Sequence, residues 1–399
     1  MKIDKNKNPK NILVFFGREH HAQKMSPVLD ELIKRGHNIT VLLADNSINI
    51  DPSTEYIHKY SYKYIHASDY KYDNEYVQKE VYSLLHKFLL NETVLKTVPI
   101  FWFVNAILES QKDIFRFYLI LKNHKPDVVM ALHANNFFTK ILLYLAQELN
   151  IEAVAFQEGL LRNRDQKTMK KQSSSADYVD KLFVWGELDR QAYLNAGVKT
   201  SVFAAGAAHL DKWIKEKNIY NKQKLYQKLG VSYPLVVFAP PLLSRYEGDF
   251  VADFIAIAEF CFINGISLMI SLHPFDNHNI ANIEKLAKQY SVFIRKQEQN
   301  QYELMSLCDV FISQHSTTVV ECALLNTPVI ECNLSSKTLE PKGYAYKIEN
   351  KDNLSIIVDI IKGTKDENIE KNIIALRTQN TLLTDGNATS RIVDEITSN

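Results

Sequence analysis

Two apolar patterns alternate along the chain: short uninterrupted runs, and longer stretches in which apolar residues recur every three or four positions. Ile12–Phe16 is of the first kind and has the length of a strand buried on both faces. Gly17 follows. Met25, Val28, Leu29, Leu32 and Ile33 then recur at helical spacing up to Gly36, and Ile39–Leu43 reads as the next strand. A strand, a helix and a strand with such short joints predict a parallel sheet. Further strands are predicted at Asp127–Leu132, Ala153–Gln157, Lys181–Trp185 and Val202–Ala205, with helices at Phe137–Leu149 and from Gly186 to near Gly197.

Residues 74–122 break this rhythm. They hold no glycine and one proline, Pro99, and residues such as Tyr82, Leu84, Leu85, Phe88 and Leu89 recur at helical spacing, which predicts two or more inserted helices. Within them Val98–Leu108 is strongly apolar and reads as a packed core helix, with a membrane-facing or acceptor-facing surface as the alternative. Arg162–Ser175 is polar and aperiodic, which predicts a loop.

From Trp213 onward the alternation begins again. A Lys-rich helix at 214–229 precedes strands at Leu235–Ala239, Ile266–Leu272, Val292–Arg295, Val310–Ser313 and Pro328–Cys332. Helices are predicted between them at Phe250–Ile263, Ile280–Tyr290, Tyr302–Leu307 and Thr317–Leu325, then at Leu354–Ile361 and Ala388–Ile396. The expected fold is α/β: two Rossmann-like, doubly wound domains facing a cleft, with a helical insertion in the first. The expected boundaries are 1–212 for an acceptor-binding domain, 213–380 for a nucleotide-sugar-binding domain, and 381–399 for a helix packing back toward the first.

Composition narrows the function. The 399 residues carry 47 Lys+Arg against 46 Asp+Glu, a net charge of +1, which argues against broad nucleic-acid binding. Only 12 glycines occur, which excludes repeat-turn and collagen-like chains and makes each glycine a marker of demanding backbone geometry. Cys261, Cys308, Cys322 and Cys332 form no CxxC or Cys/His cluster, so buried free thiols in a reducing compartment are expected. The basic N-terminus lacks a signal-peptide core, and no apolar stretch reaches the roughly 18 residues of a membrane span. The expected location is the cytoplasm, with peripheral contact to the inner membrane face left open. No Asp-x-Asp occurs, so a metal-independent site is expected, with no cofactor beyond the donor.

In open parallel sheets ligands bind beyond the carboxyl ends of the strands, and the candidate chemistry lies there. Gly17-Arg18-Glu19-His20-His21 offers a tight turn and polar groups for a substrate hydroxyl, or simply exposed loop polars. Glu158-Gly159 offers a general acid or base, or a capping carboxylate. Arg245 suits a phosphate or carboxylate, or a surface ion pair. His273-Pro274 places a stiffened histidine where it can bond a phosphate or ribose, or serve as a core or capping group. Gln314-His315-Ser316-Thr317-Thr318 opens a helix carrying Glu321, a phosphate site or ordinary N-capping with Glu321 on a solvated face.

Taken in order, Gln157-Glu158-Gly159, His273-Pro274 and Ser316-Thr317-Thr318 resemble the motifs of GT-B bacterial sialyltransferases, polysialyltransferases and Kdo transferases, which use CMP-activated sugars. That resemblance implies Glu158 as the acid or base at the acceptor hydroxyl. It implies His273, Ser316 and Thr317 on the CMP phosphate and Glu321 on the ribose. Two departures stand out: Gln157 occupies a position often acidic in those families, and Ser-Thr-Thr replaces Ser-Ser. Strand-Pro-x-x-x-Arg at Ala239–Arg245 and Trp185-Gly186-Glu187 also resemble teichoic-acid glycerophosphotransferases and capsule-assembly enzymes. The expectation is a glycosyltransferase moving an acidic sugar from a CMP-activated donor to a capsule or lipopolysaccharide acceptor. Its partners would be a nucleotide sugar and a glycan, not nucleic acid. The alternatives are a UDP-sugar or CDP-glycerol donor in teichoic-acid-like synthesis, a UDP-GlcNAc 2-epimerase-like isomerase, or a binding protein that kept the fold without catalysis. Scarce glycine favours a monophosphate leaving group, held by Ser and Thr at a helix start.

Overall fold

The computed structural model describes residues 8–17, 19–43, 63–70, 75–91, 100–132, 137–159, 169, 176–241, 243–246, 248–273, 276, 280–296, 299–314, 317–332, 334, 343–379 and 384–398. The chain divides into two compact units, Met1–His209 with Asn387–Asn399, and Leu210–Gly386.

The first unit runs β1 (Asn11–Phe16), α1 (Glu19–Lys34), β2 (Asn38–Leu43), β3 (Lys63–His66), α2 (Glu75–Asn91), α3 (Ile100–His124), β4 (Val128–Leu132), α4 (Phe137–Glu148), β5 (Glu152–Phe156), β6 (Lys181–Val184), α5 (Glu187–Asn195) and β7 (Ser201–Ala204). Its seven strands form one sheet in the order β3-β2-β1-β4-β5-β6-β7, and every pairing is parallel. The central strands are buried nearly end to end because helices cover both faces, which is why they read as unbroken apolar runs. Leu13 and Phe15 point to one face, where Val81 and Leu85 of α2 and Ile114, Phe117 and Leu121 of α3 cover them. The insertion is therefore a helical layer on the sheet. Phe15 and Phe117 meet edge-on with ring centroids 5.5 Å apart. Side chains of the apolar run Val98–Leu108 lie outside those described, although its backbone is helical from Ile100. The predicted loop at 162–175 lies outside the described residues except Met169, which is buried.

Ile12, Val14 and Phe16 point to the other face, against Met25, Val28, Leu29 and Leu32 of α1. Pro27 interrupts α1 and supplies no N–H to the carbonyl of Gln23, which accepts instead from Ser26 Oγ at 3.3 Å.

The second unit runs α6 (Asp211–Glu216), α7 (Ile219–Leu229), β8 (Leu235–Ala239), α8 (Phe250–Ile263), β9 (Ser267–Ile270), α9 (Ile280–Gln289), β10 (Phe293–Ile294), α10 (Gln301–Leu307), β11 (Val310–Ser313), α11 (Thr317–Leu324), β12 (Val329–Cys332), β13 (Tyr346–Ile348), α12 (Ile356–Ile361) and α13 (Glu367–Gln379). Its six strands take the order β10-β9-β8-β11-β12-β13, again all parallel. The last helix, α14 (Ala388–Thr397), belongs to the first unit. There Ile392, Val393 and Ile396 join the core beside α1, and Arg391 Nε donates to the Ala205 carbonyl at 2.9 Å.

Three elements escaped the sequence reading. β3 and β13 are edge strands of four and three residues with alternating or partial burial, too short to show a period. α13 carries Ile369, Ile373 and Leu376 at helical spacing, a narrow stripe of which Ile373 alone is fully buried among the described residues.

Candidate functional site

Each sheet has a point where the strand order reverses, between β1 and β4 in the first unit and between β8 and β11 in the second. Chains leaving the carboxyl ends of strands on the two sides of such a point diverge and open a crevice.

In the second unit, Ala239 pairs with Ser313 and Phe238 with Ile270, so β8, β9 and β11 end level with one another. Ser313 Oγ donates to the Ala239 carbonyl at 2.7 Å, and the Ser271 N–H to the Phe238 carbonyl at 2.8 Å. The segments carrying His273, Leu243–Arg245 and Thr317–Thr318 therefore leave the sheet side by side. His273 is half-buried in a turn built on Asp276, a residue the sequence reading missed. The Asp276 carboxylate accepts the Leu243 N–H at 2.8 Å and the His273 N–H at 3.3 Å, and the Asp276 N–H donates to the His273 carbonyl at 2.9 Å. An aspartate three residues after the histidine of His-Pro is the sequence signal for such a side-chain turn. On the next strand end, Arg295 Nε donates to Ser271 Oγ at 2.7 Å and Nη1 to the Gln299 carbonyl at 2.7 Å.

Thr317 and Thr318 form the first turn of α11, half-buried, behind a Gln314 that is 1% exposed. The solvated-face reading of Glu321 is corrected: the residue is 2% exposed, because α11 is buried along its length from Val319. Pro274, His315 and Ser316 lie outside the described residues. So does the side chain of Arg245, whose backbone closes a 3-10 turn. Tyr246 follows that turn and donates to Asp253 at 2.7 Å. Burial, with Cys332 and Asp253 alongside, pushes its phenol well above the ordinary value.

In the first unit, Gly17 ends β1 where an added Cβ would stand 3.3 Å from the Phe15 ring. His21 is 4% exposed, and its Nδ1 accepts the Gly17 N–H at 3.4 Å. It is therefore built into the turn, and the reading of an exposed loop polar is corrected for it. Arg18 lies outside the described residues, as do the side chains of Glu19 and His20, whose backbones begin α1.

After β5, Gln157, Glu158 and Gly159 form a half-buried turn. Gln157 Nε2 donates to Asp189 Oδ2 at 2.7 Å and to the Gly159 carbonyl at 2.8 Å. Its Oε1 accepts the Trp185 N–H at 2.8 Å, and its carbonyl accepts Trp185 Nε1 at 3.1 Å. Lys24 Nζ, from α1, donates to the Glu158 carbonyl at 2.6 Å and lies 5.8 Å from the Trp185 ring centroid. Asp189 is 1% exposed in the first turn of α5, and Tyr193 one turn on is pushed up to about 12 by burial, with Asp189 adding to the effect. Asp189 and Lys24 were missed because their relation to β5 exists only in three dimensions. Among the described residues, no three His, Cys, Asp or Glu side chains gather as metal ligands, and no helix is long and apolar enough to cross a membrane.

The architecture has known counterparts. The chain is similar to UDP-GlcNAc 2-epimerase from Neisseria meningitidis bound to UDP-GlcNAc, at 16% identity and TM-score 0.63, over 98% of this chain and 100% of that one. It is similar to the wall teichoic acid polymerase TagF with CDPG, at 12% identity and TM-score 0.58, over 99% of this chain and 89% of that one. It is also similar to UDP-GlcNAc 2-epimerase from Methanocaldococcus jannaschii, at 15% identity and TM-score 0.59, over 97% and 99%. At such identities these likenesses establish the fold alone: two parallel-sheet α/β units of GT-B type. No curated protein matches the sequence. A model of the CDP-Glycerol:Poly(glycerophosphate) glycerophosphotransferase family matches residues 31–398. This match overturns the resemblance to CMP-sugar sialyl-, polysialyl- and Kdo transferases, and with it the acidic-sugar donor and the capsule or lipopolysaccharide product. The physical reason is that His-Pro and Ser/Thr at strand ends were read for their suitability to a phosphate, and a phosphate carries no record of the group attached to it. With nearly the whole chain matched, this glycosyltransferase-type enzyme belongs to the CDP-glycerol:poly(glycerophosphate) glycerophosphotransferase family.

Proposed function

We propose that the protein transfers a glycerophosphate group from CDP-glycerol to a teichoic-acid-like acceptor that carries a free hydroxyl. The observation that carries this reading is the family match over residues 31–398. In this reaction the acceptor oxygen attacks the phosphorus that bears glycerol. The bond from that phosphorus to the bridging oxygen breaks, its electron pair leaves with CMP, and the hydroxyl proton passes to a base.

The roles follow from the strand-end chemistry. Charge grows on the departing CMP phosphate. His273 and the N–H groups at the start of α11, with Thr317 and Thr318, are suited to stabilise it, joined by His315, Ser316 and Arg245. Glu158 is assigned as the base that receives the acceptor proton. The turn from Gly17 to His21 is assigned to the acceptor.

CMP release from CDP-glycerol, in the presence of a glycerophosphate-primed acceptor, tests the proposal. CMP should form with CDP-glycerol and not with CMP-sialic acid. Conversion of UDP-GlcNAc to its epimer, with no CMP from CDP-glycerol, would overturn it.

A further inference from the structure

Gln157 stands directly before Glu158, and the hydrogen bonds around it require a side-chain amide there. A side-chain amide has one acceptor end and one donor end, and the two are easily confused when viewed alone. Here the surroundings leave one orientation. The Trp185 backbone N–H must donate, so Oε1 faces it at 2.8 Å. The Asp189 carboxylate at 2.7 Å and the Gly159 carbonyl at 2.8 Å must both accept, so Nε2 faces them. The Gln157 and Glu158 carbonyls are held in turn by Trp185 Nε1 and Lys24 Nζ. Lys24 of α1 and Trp185, between β6 and α5, thus hold two consecutive peptide groups on either side of the Glu158 side chain.

We propose that Gln157 is a positioning residue: its amide, clamped between Asp189 and Trp185, fixes the turn that presents Glu158 to the acceptor hydroxyl. The proposal rests on Glu158 serving as base in the reaction proposed above. It explains why an acid is unsuited to position 157. A glutamate there would set its carboxylate against that of Asp189 and the carbonyl of Gly159, three acceptors with no hydrogen between them. The other charged or titratable groups around the clamp are Lys24 from α1, Glu158 itself, Glu187 and Tyr193 on α5, and His209, whose ring lies 5.4 Å from that of Trp185.

An exchange of partners tests the clamp. Gln157→Glu should lower kcat for CMP release about ten-fold or more at neutral pH, with KM for CDP-glycerol held within about two-fold. The loss should shrink on acidification, when a shared proton can bridge residues 157 and 189. Gln157→Glu combined with Asp189→Asn restores a donor between the two side chains and should recover most of the lost kcat at neutral pH. A folded Gln157→Glu enzyme with wild-type kcat overturns the proposal, as does a folded double variant no faster than the single one. Should Gln157→Glu unfold, Asp189→Asn and Asp189→Ala supply the same contrast. Asn keeps an acceptor for Gln157 and should keep kcat, Ala should lose it, and equal rates overturn the clamp. If the wild-type protein releases no CMP from CDP-glycerol, the reaction assignment fails separately. Hydrogen exchange of segment 157–159 then reads the clamp without substrate: faster in Gln157→Glu and slowed again in the double variant, with unchanged exchange overturning it.

Discussion

The two units solve the same problem in different ways. Each must hold polar loops rigid at the carboxyl end of a parallel sheet. In the first unit the turn after β5 is organised around one side chain, Gln157, which bonds to Asp189, Gly159 and Trp185 at once, with Lys24 holding the next carbonyl. In the second the work is spread over separate braces between neighbouring strand ends: Arg295 to Ser271, Asp276 to Leu243 and His273, and Ser313 to Ala239. A hub fails as a whole when its centre is changed, whereas braces fail one at a time. The second arrangement also turns the Asp276 carboxylate onto backbone N–H groups, leaving a setting compatible with a phosphate.

The largest expected effect falls on the first unit. Glu158→Gln should lower kcat by about 10²–10⁴ and leave CMP binding, followed by calorimetry, unchanged. Lost CMP affinity would show that the two units do not divide the labour as proposed. In the second unit, His273→Ala should cost about 10²-fold in kcat/KM for CDP-glycerol and weaken CMP binding in the same titration. An unchanged CMP affinity would remove His273 from the donor site. Asp276→Ala strips two backbone N–H groups of their acceptor and should cost about 1–3 kcal/mol in urea unfolding, with a raised KM for CDP-glycerol. Ser313→Ala removes a single neutral bond and should cost about 1 kcal/mol with little change in KM. If Ser313→Ala proves as harmful as Asp276→Ala, the braces act as one network and the contrast between the units disappears.

The smallest effect is one of pH. All four cysteines are buried in the second unit, and burial pushes Cys261, Cys308 and Cys332 up to about 12 and Cys322 well above its ordinary value. Unfolded thiols ionise near pH 9 while the folded ones keep their protons, so the unfolded state binds fewer protons and stability falls as pH rises from 9. Lys217, pushed down to about 8 by burial, works in the opposite direction between about 8 and 10.5, one group against four. The first unit has no cysteine. Its raised groups include tyrosines such as Tyr64 and Tyr193, both held up near 12 by burial, whose unfolded forms ionise only near 10. Hydrogen exchange under reducing conditions should therefore show the second unit loosening from pH 9 and the first only from pH 10.

Much of the fold was legible in the sequence. Leu235–Ala239 and Val310–Ser313 were read as strands over the lengths they have, and Ile12–Phe16 one residue short of β1, because a strand covered on both faces is apolar nearly throughout. The edge strand Tyr346–Ile348 was not read, since three residues cannot display a period. Among candidate site residues, Glu158 and His273 were singled out by their place after strands, and their roles rest on the proposal above. Gln157 was noticed only as an anomaly, and Asp189 and Asp276 not at all. The donor was misread for a chemical reason. A CMP-activated sugar and CDP-glycerol both release CMP, so motifs suited to the leaving phosphate cannot tell an anomeric carbon from a second phosphorus.

The sequence by itself therefore determined the central strands and the helices that cover them, that they form parallel sheets, and which polar residues stand at strand ends. Each of these is a property of a residue and its near neighbours along the chain. The tertiary structure alone decided that Gln157 meets Asp189, that Asp276 joins two loops, and that Glu321 and His21 are enclosed. These depend on sheet order and on helices that return from far along the chain, and no local pattern records which distant residue will supply a hydrogen-bond partner.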